Sequence, residues 1–280
     1  MLTTNPFAAL SASLSPAIMQ TYVTLMIVLV IVGTLFDVVH KGSAKYFFAN
    51  WRAGKSRGER EIPTGELVSI AVSTAVVDVL ASGEFCNQKR RVAHLLGMYG
   101  FIAYALATAV MIYSYPTTPS PGIWPLLWWL GALMICVGGY WFWFFIRVDV
   151  YAEGVKWYNF NGRGDIFIVG LITMPTFALL WSATLGGGSL NMLFFVLFIA
   201  SSTVLFGSVF WSKFAHMFFK PAAAYQKKCI MADGSREGLP ADYDLTDPAV
   251  QKRFPDIPEY MGTNPPNMGP GINAEPPSHY

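Results

Sequence analysis

Five stretches of about 20 nearly uninterrupted apolar residues constrain this chain more than any motif in it. They cover roughly 22–39, 93–113, 123–146, 166–185 and 191–211. At about 1.5 Å per residue, each is long enough to cross the roughly 30 Å hydrocarbon core of a bilayer as a helix. Helix is also the form that pairs every backbone polar group within the segment, which hydrocarbon demands. Composition agrees: 13% of the 280 residues are charged, against about 25% in a soluble domain. Pro116, Pro119, Pro121 and Gly122 punctuate one connection, and Gly186-Gly187-Gly188 another. The expected fold is an all-α integral membrane protein, a five-transmembrane-helix bundle.

The placement of charge predicts its orientation. Of the 19 Lys and Arg residues, nine fall between the first two spans, three (Arg147, Lys156, Arg163) between the third and fourth, and seven from Lys213 onward. Segments 1–21, 114–122 and 186–190 carry no charge of either sign. By the positive-inside rule the N-terminus is outside and the C-terminus cytoplasmic, in the cell's inner membrane. Residues 1–21 also lack the basic n-region of a secretory signal peptide. Residues 66–83 are apolar too, but a crossing there would place Asp78 in hydrocarbon at roughly 3 kcal/mol. It would also split the cations of the first connection between two sides. Val68, Val72, Val76, Val79 and Leu80 make a helical stripe opposite Thr74 and Asp78, so the segment is expected to lie on the cytoplasmic surface or beneath the bundle.

Residues 1–221 therefore read as the membrane domain. From about 222 to 280 proline becomes frequent and aliphatic residues sparse, which predicts an extended cytoplasmic tail, either an arm that orders on a soluble partner or an unstructured end. Trp124, Trp128 and Trp129 are expected in the interfacial belt on one side, and Tyr140, Trp141 and Trp143 on the other. Cys86, Cys136 and Cys229 are far apart and form no CxxC pair, so they read as packing residues rather than a disulfide or iron–sulfur framework. The basic residues are topology determinants, and no nucleic-acid partner is expected.

Three of the four histidines fall at one end of the bundle: His40 after span one, His94 at the start of span two, His216 after span five. Asp37 stands one turn from that end, where it pairs with Lys41 or relays a proton. A haem b held by His94 and His216 needs a small residue beside the macrocycle, which Gly97 supplies, and cations for the propionates, which Arg91 and Lys213 supply. His40 is the alternative iron ligand. Interfacial histidines that contact headgroups or cap helices explain the same positions, and both readings stand. Pro175 in span four and Gly138-Gly139 in span three leave a small-solute transporter as the competing class, although its spans usually break in pairs near the midplane.

Asp78-Val79-Leu80, Arg91-Val92-Ala93-His94, Gly100-Phe101, Thr108 and the run from Ser212 to Pro221 resemble the haem b membrane subunits of the nitrate reductase gamma family. The closer branch is the one associated with heterodisulfide-reductase-like complexes. Within it the likeness is greatest to membrane anchors associated with adenylylsulfate reductase, including Pro255-Asp256-Ile257-Pro258-Glu259-Tyr260-Met261-Gly262 in the tail. The resemblance implies a non-catalytic subunit that docks a cytoplasmic flavin and iron–sulfur oxidoreductase and exchanges electrons with the quinone pool. Two-haem relatives carry further histidines in the outer halves of spans two and five. This chain has none there, with Tyr104 and Phe198 in those regions, so one haem at most is expected.

Overall fold

The computed structural model describes residues 2–40, 42–83, 85, 88–147, 156–239 and 247–253. Among them every regular element is helical. In chain order these are α1 (Pro6–Leu10), α2 (Pro16–His40), α3 (Ser43–Arg57), α4 (Thr64–Ser73, continued by a π-helical stretch Thr74–Leu80) and α5 (Gln88–Ser114). Then come α6 (Ile123–Trp141, with a π-helical end Phe142–Ile146), α7 (Gly162–Ala183), α8 (Ser189–Gly207), α9 (His216–Ala232) and α10 (Pro248–Arg253). Five helices are long and apolar enough to cross a membrane: α2, α5, α6, α7 and α8. The chain is a multi-pass membrane protein, and α4, shorter than these five, is not among them.

The chain divides into two compact units. The first comprises Met1–Gly42 with Ala81–Phe219, and holds all five spans. Within it α5 packs most extensively on α6, and α7 on α8. The α5–α6 contact is a backbone contact. A Cβ on Gly100 would stand 2.8 Å from the Gly131 carbonyl, and one on Gly131 would stand 2.7 Å from the Gly100 carbonyl. One turn pair further along, a Cβ on Gly138 would stand 2.6 Å from the Ala93 carbonyl. Between helices bathed in lipid there is no hydrophobic drive to associate, so close approach of small residues supplies the attraction.

One end of this unit is filled by aromatic rings. Trp128 and Trp181 are fully buried, and both meet Phe7 of α1, at ring separations of 6.0 and 5.5 Å. Tyr104 stacks on Trp128 at 5.3 Å, and Phe198 on Trp181 at 5.8 Å. Asn5 holds α1 in place: its Oδ1 accepts from Phe7 N (3.0 Å), and its Nδ2 donates to the Tyr115 carbonyl (2.9 Å). Trp128, expected in the interfacial belt, instead sits at the centre of this cluster. Its neighbours Trp124 and Trp129 pack against the cluster's edge.

The second unit comprises Ser43–Leu80 and Lys220–Tyr280. The stretch expected to be an extended tail from 222 is helical as far as Ala232 and packs on segment 43–80. Tyr225 stacks on Trp51 at 6.0 Å, and Gln226 Nε2 donates to the Phe47 carbonyl at 2.6 Å. Lys228 forms an ion pair with Asp78 (2.5 Å) and donates to Ser73 Oγ (3.3 Å). The Asp233 carbonyl accepts from Glu59 N (2.8 Å). Residues 222–232 lack a core of their own, and segment 43–80 supplies the other half of one. Arg60 grips Glu66 through two nitrogens, and that hydrogen bonding holds the exposed Glu66 carboxyl below its ordinary range. The rest of the expected arm, 240–246 and 254–280 with its Pro255–Gly262 motif, lies outside the described residues.

Gly131→Ala should therefore lower the thermal unfolding midpoint of the detergent-solubilised protein, because its Cβ would press on backbone that cannot yield. The cost is expected to be about 1–3 kcal/mol. Gly97→Ala, whose Cβ would meet nothing within 4 Å, should leave that midpoint unchanged.

Candidate functional site

The residues singled out from the sequence sit at the end of the first unit where α2 finishes and α5 begins. His94 lies in the second turn of α5 and is exposed. Its Nδ1 is 3.0 Å from Ser82 Oγ, and its ring faces Phe85 at 4.8 Å. Arg91, three residues earlier and so on the same side of α5, donates through Nε to the Ala81 carbonyl at 2.8 Å. The two residues thus clamp a turn in which Phe85 N donates to the Ser82 carbonyl at 3.2 Å. Ser82 is buried and holds φ at +51°, a left-handed conformation uncommon for a residue with a side chain. Its hydroxyl is spent on the imidazole.

His216 does not end span five. Helix α8 stops at Gly207, and two short 3-10 turns, Ser208–Phe210 and Lys213–Ala215, follow before His216 opens α9. Serine drives the interruption. Ser208 Oγ turns back to the Leu205 carbonyl (3.1 Å), and extended Ser212 caps the second turn by accepting from Phe214 N (3.2 Å). Local side-chain bonds of this kind compete with the helix for its backbone. Phe214 locks the turn from inside: it is 2% exposed and touches Phe101, Phe167 and Phe206 at 6.4, 5.6 and 5.9 Å.

His216 itself is half-buried, edge-on to Phe167 at 5.9 Å, with Nδ1 hydrogen-bonded to the Lys213 carbonyl. A carbonyl only accepts, so Nδ1 is the donor in this contact, which leaves Nε2 as the ring nitrogen able to ligate a metal. Metal-binding imidazoles commonly have this arrangement. Lys213 is exposed.

The two histidine-bearing segments meet at Phe101 and Phe214. His94 lies seven residues before Phe101 on α5, and His216 two residues after Phe214. Since α5 and α8 cross in opposite directions, both imidazoles extend from that contact toward the same end, His94 by about 10 Å of helix. Their immediate surroundings differ: Ser82 and Phe85 for one, Lys213 and Phe167 for the other. Gly97 presents an open position, whereas Gly100 is taken up by α6. His40 is exposed and stacks on Phe36 of its own helix at 5.2 Å. Asp37, one turn earlier, is 1% exposed, and Lys41, its expected partner, lies outside the described residues.

The Nδ1 bond of His216, the open position at Gly97 and the placement of both histidines at one end of the first unit are compatible with a haem between α5 and the α8–α9 junction. The opposite end of the bundle does not fit a second one. Tyr104 and Phe198 occupy the corresponding region and are stacked into the Trp128–Phe7–Trp181 cluster. Sequence reading missed Ser82, Phe85 and Phe214. The Ala81-Ser82-Gly83 run is the one signal, a turn-prone Ser-Gly placed just before a basic helix start.

No protein-family model matches this chain, and no curated protein or solved structure matches it either.

The Ser82 turn is open to a direct check. Ser82→Val places a β-branched residue at positive φ and removes the bond to His94, and should cost about 1–3 kcal/mol in thermal unfolding. Ser82→Gly keeps the backbone conformation and should cost under about 1 kcal/mol.

Proposed function

We propose that this multi-pass protein is a non-catalytic anchor and electron-transfer subunit of the inner, cytoplasmic membrane, with its N-terminus outside and its C-terminus cytoplasmic. Its soluble partner is a cytoplasmic flavin and iron–sulfur oxidoreductase of the adenylylsulfate reductase class, and its membrane partner is the quinone pool. One haem b would join them, held by His94 and His216, and would supply the electron path between them. The observation that carries this reading is the placement of the two histidines beyond the Phe101–Phe214 contact, at one end of the bundle. The motif resemblance around Arg91–His94 and from Ser212 to Pro221 supports the partner class.

Bound haem b supplies reversible one-electron transfer, and the chain's residues bind and orient it. The Lys213 carbonyl sets the tautomer and ring orientation of His216, and Ser82 orients His94. Gly97 leaves α5 uncovered beside His94. Lys213, exposed beside His216, offers a cation to a propionate. Arg91 contributes by holding the turn that carries Ser82.

A second reading, an anchor without a cofactor, is favoured by one observation: Arg91 and His94 both have a structural task in clamping residues 81–85. The transporter reading rested on Pro175 and on Gly138-Gly139. Both serve packing: Pro175 is buried within a continuous α7, and the two glycines receive the Ala93 carbonyl and the Ile172 side chain.

Gentle solubilisation of native membranes should bring down a flavin-containing reductase with the tagged protein, and the assembly should reduce or oxidise a quinone analogue. His94→Ala should cut the quinone-linked rate at least tenfold while leaving the reductase bound. Purification of the chain alone, with the reductase's membrane association unchanged on deletion, would overturn the anchor. Unchanged quinone-linked turnover in His94→Ala would leave the anchor and remove the electron path.

A further inference from the structure

Helix α3 belongs to the second unit and has two unlike faces. Trp51 stacks on Tyr225, and Gly54 lies close to Ser235 and Ile230, so positions 47, 51 and 54 form the face packed inside the unit. The opposite side carries Lys45, Phe48, Arg52 and Lys55 at helical spacing, and all four are exposed. Phe48 is 59% exposed, and Tyr46, flanking the same side, 73%. The helix contains no acidic residue. Among the described residues no carboxylate pairs with Lys45, Arg52 or Lys55, although α3's terminal Arg57 is paired with Glu237. An unneutralised row of cations broken by exposed aromatic rings is a surface built to meet negative charge on an apolar support.

We infer that this face of α3 binds anionic lipid headgroups, with the rings of Phe48 and Tyr46 seated at the headgroup–acyl boundary. The chain itself supplies the argument for lipid over an acidic protein. Helix α2 spans the membrane and ends at His40, and α3 begins at Ser43. Lys45 lies five residues beyond His40, a reach of at most about 18 Å even if fully extended. The attraction of an anionic leaflet decays over about 8 Å at physiological ionic strength, so the first cations of α3 start close to the charge that would hold them. A soluble acidic surface would have to displace that competitor. Each cation near an anionic surface shifts the equilibrium several-fold, and three together shift it about a hundredfold toward the docked helix. The inference needs only the membrane reading, and it stands whether or not haem or a soluble reductase is present.

The test is hydrogen–deuterium exchange of residues 43–57 in the full chain, reconstituted in nanodiscs of phosphatidylcholine alone or with phosphatidylglycerol added. Exchange should slow by at least tenfold with phosphatidylglycerol, and the difference should shrink in high salt. The triple variant Lys45→Gln, Arg52→Gln, Lys55→Gln should abolish the difference. Lys45→Arg with Lys55→Arg should preserve it, which separates loss of charge from loss of fold. Equal exchange in the two nanodiscs overturns the inference, as does lipid-dependent protection that survives in the triple variant. Protection of α3 that appears only when a soluble acidic protein is added assigns the face to that protein instead and likewise overturns it.

Discussion

The bundle depends on how closely α5 and α6 can approach. Between spans in lipid, burying another leucine gains little, because the lipid it displaces is just as apolar. Cohesion comes from atoms brought into contact, and Gly100, Gly131 and Gly138 bring backbone against backbone. That seam sets the position of α5, and with it the turn at Ala81–Phe85, which Arg91 and His94 hold from the first turns of the same helix. A change at Gly131 therefore reaches the histidine end through a rigid element rather than through a chain of side chains.

The two ends of the first unit are built on different principles. One is filled with aromatic rings, with Phe7 of the short N-terminal helix wedged between Trp128 and Trp181. It is dense and apolar, with no histidine. The other end is interrupted: α8 gives way to serine-capped 3-10 turns, Ser82 takes a left-handed conformation, and two imidazoles have their Nδ1 atoms engaged by neighbours. A serine held at positive φ stores strain that its surrounding contacts must hold. In the proposed function the irregular end holds the cofactor and faces the soluble partner, and the filled end is structural.

Much of the architecture was legible in the amino-acid order because hydrocarbon leaves so few options. The five spans follow from run length, and the Asp78 carboxylate within 66–83 calls for a partner, which Lys228 supplies. Packing specifics were not legible. Trp128 reads as a belt residue because tryptophan favours interfaces, and nothing in its neighbours announces that Phe7 comes from the chain's first residues to bury it. Residues 222–232 look too poor in aliphatics to fold, because half of their core lies about 175 residues earlier, at Phe47 and Trp51. The break before His216 was hidden too, since Ser208 and Ser212 look like ordinary polar residues near a span end.

The central claim is that His94 and His216 are two ligands of one iron. Low-temperature electron paramagnetic resonance of the oxidised, purified protein, with haem quantified on the same sample, addresses it most directly. The account predicts one low-spin ferric species of bis-imidazole type at one haem per chain. That species should be lost when either His94 or His216 is replaced by alanine and retained in His40→Ala. A haem-free protein from a haem-replete host, or a low-spin signal that persists in both His94→Ala and His216→Ala, would contradict it.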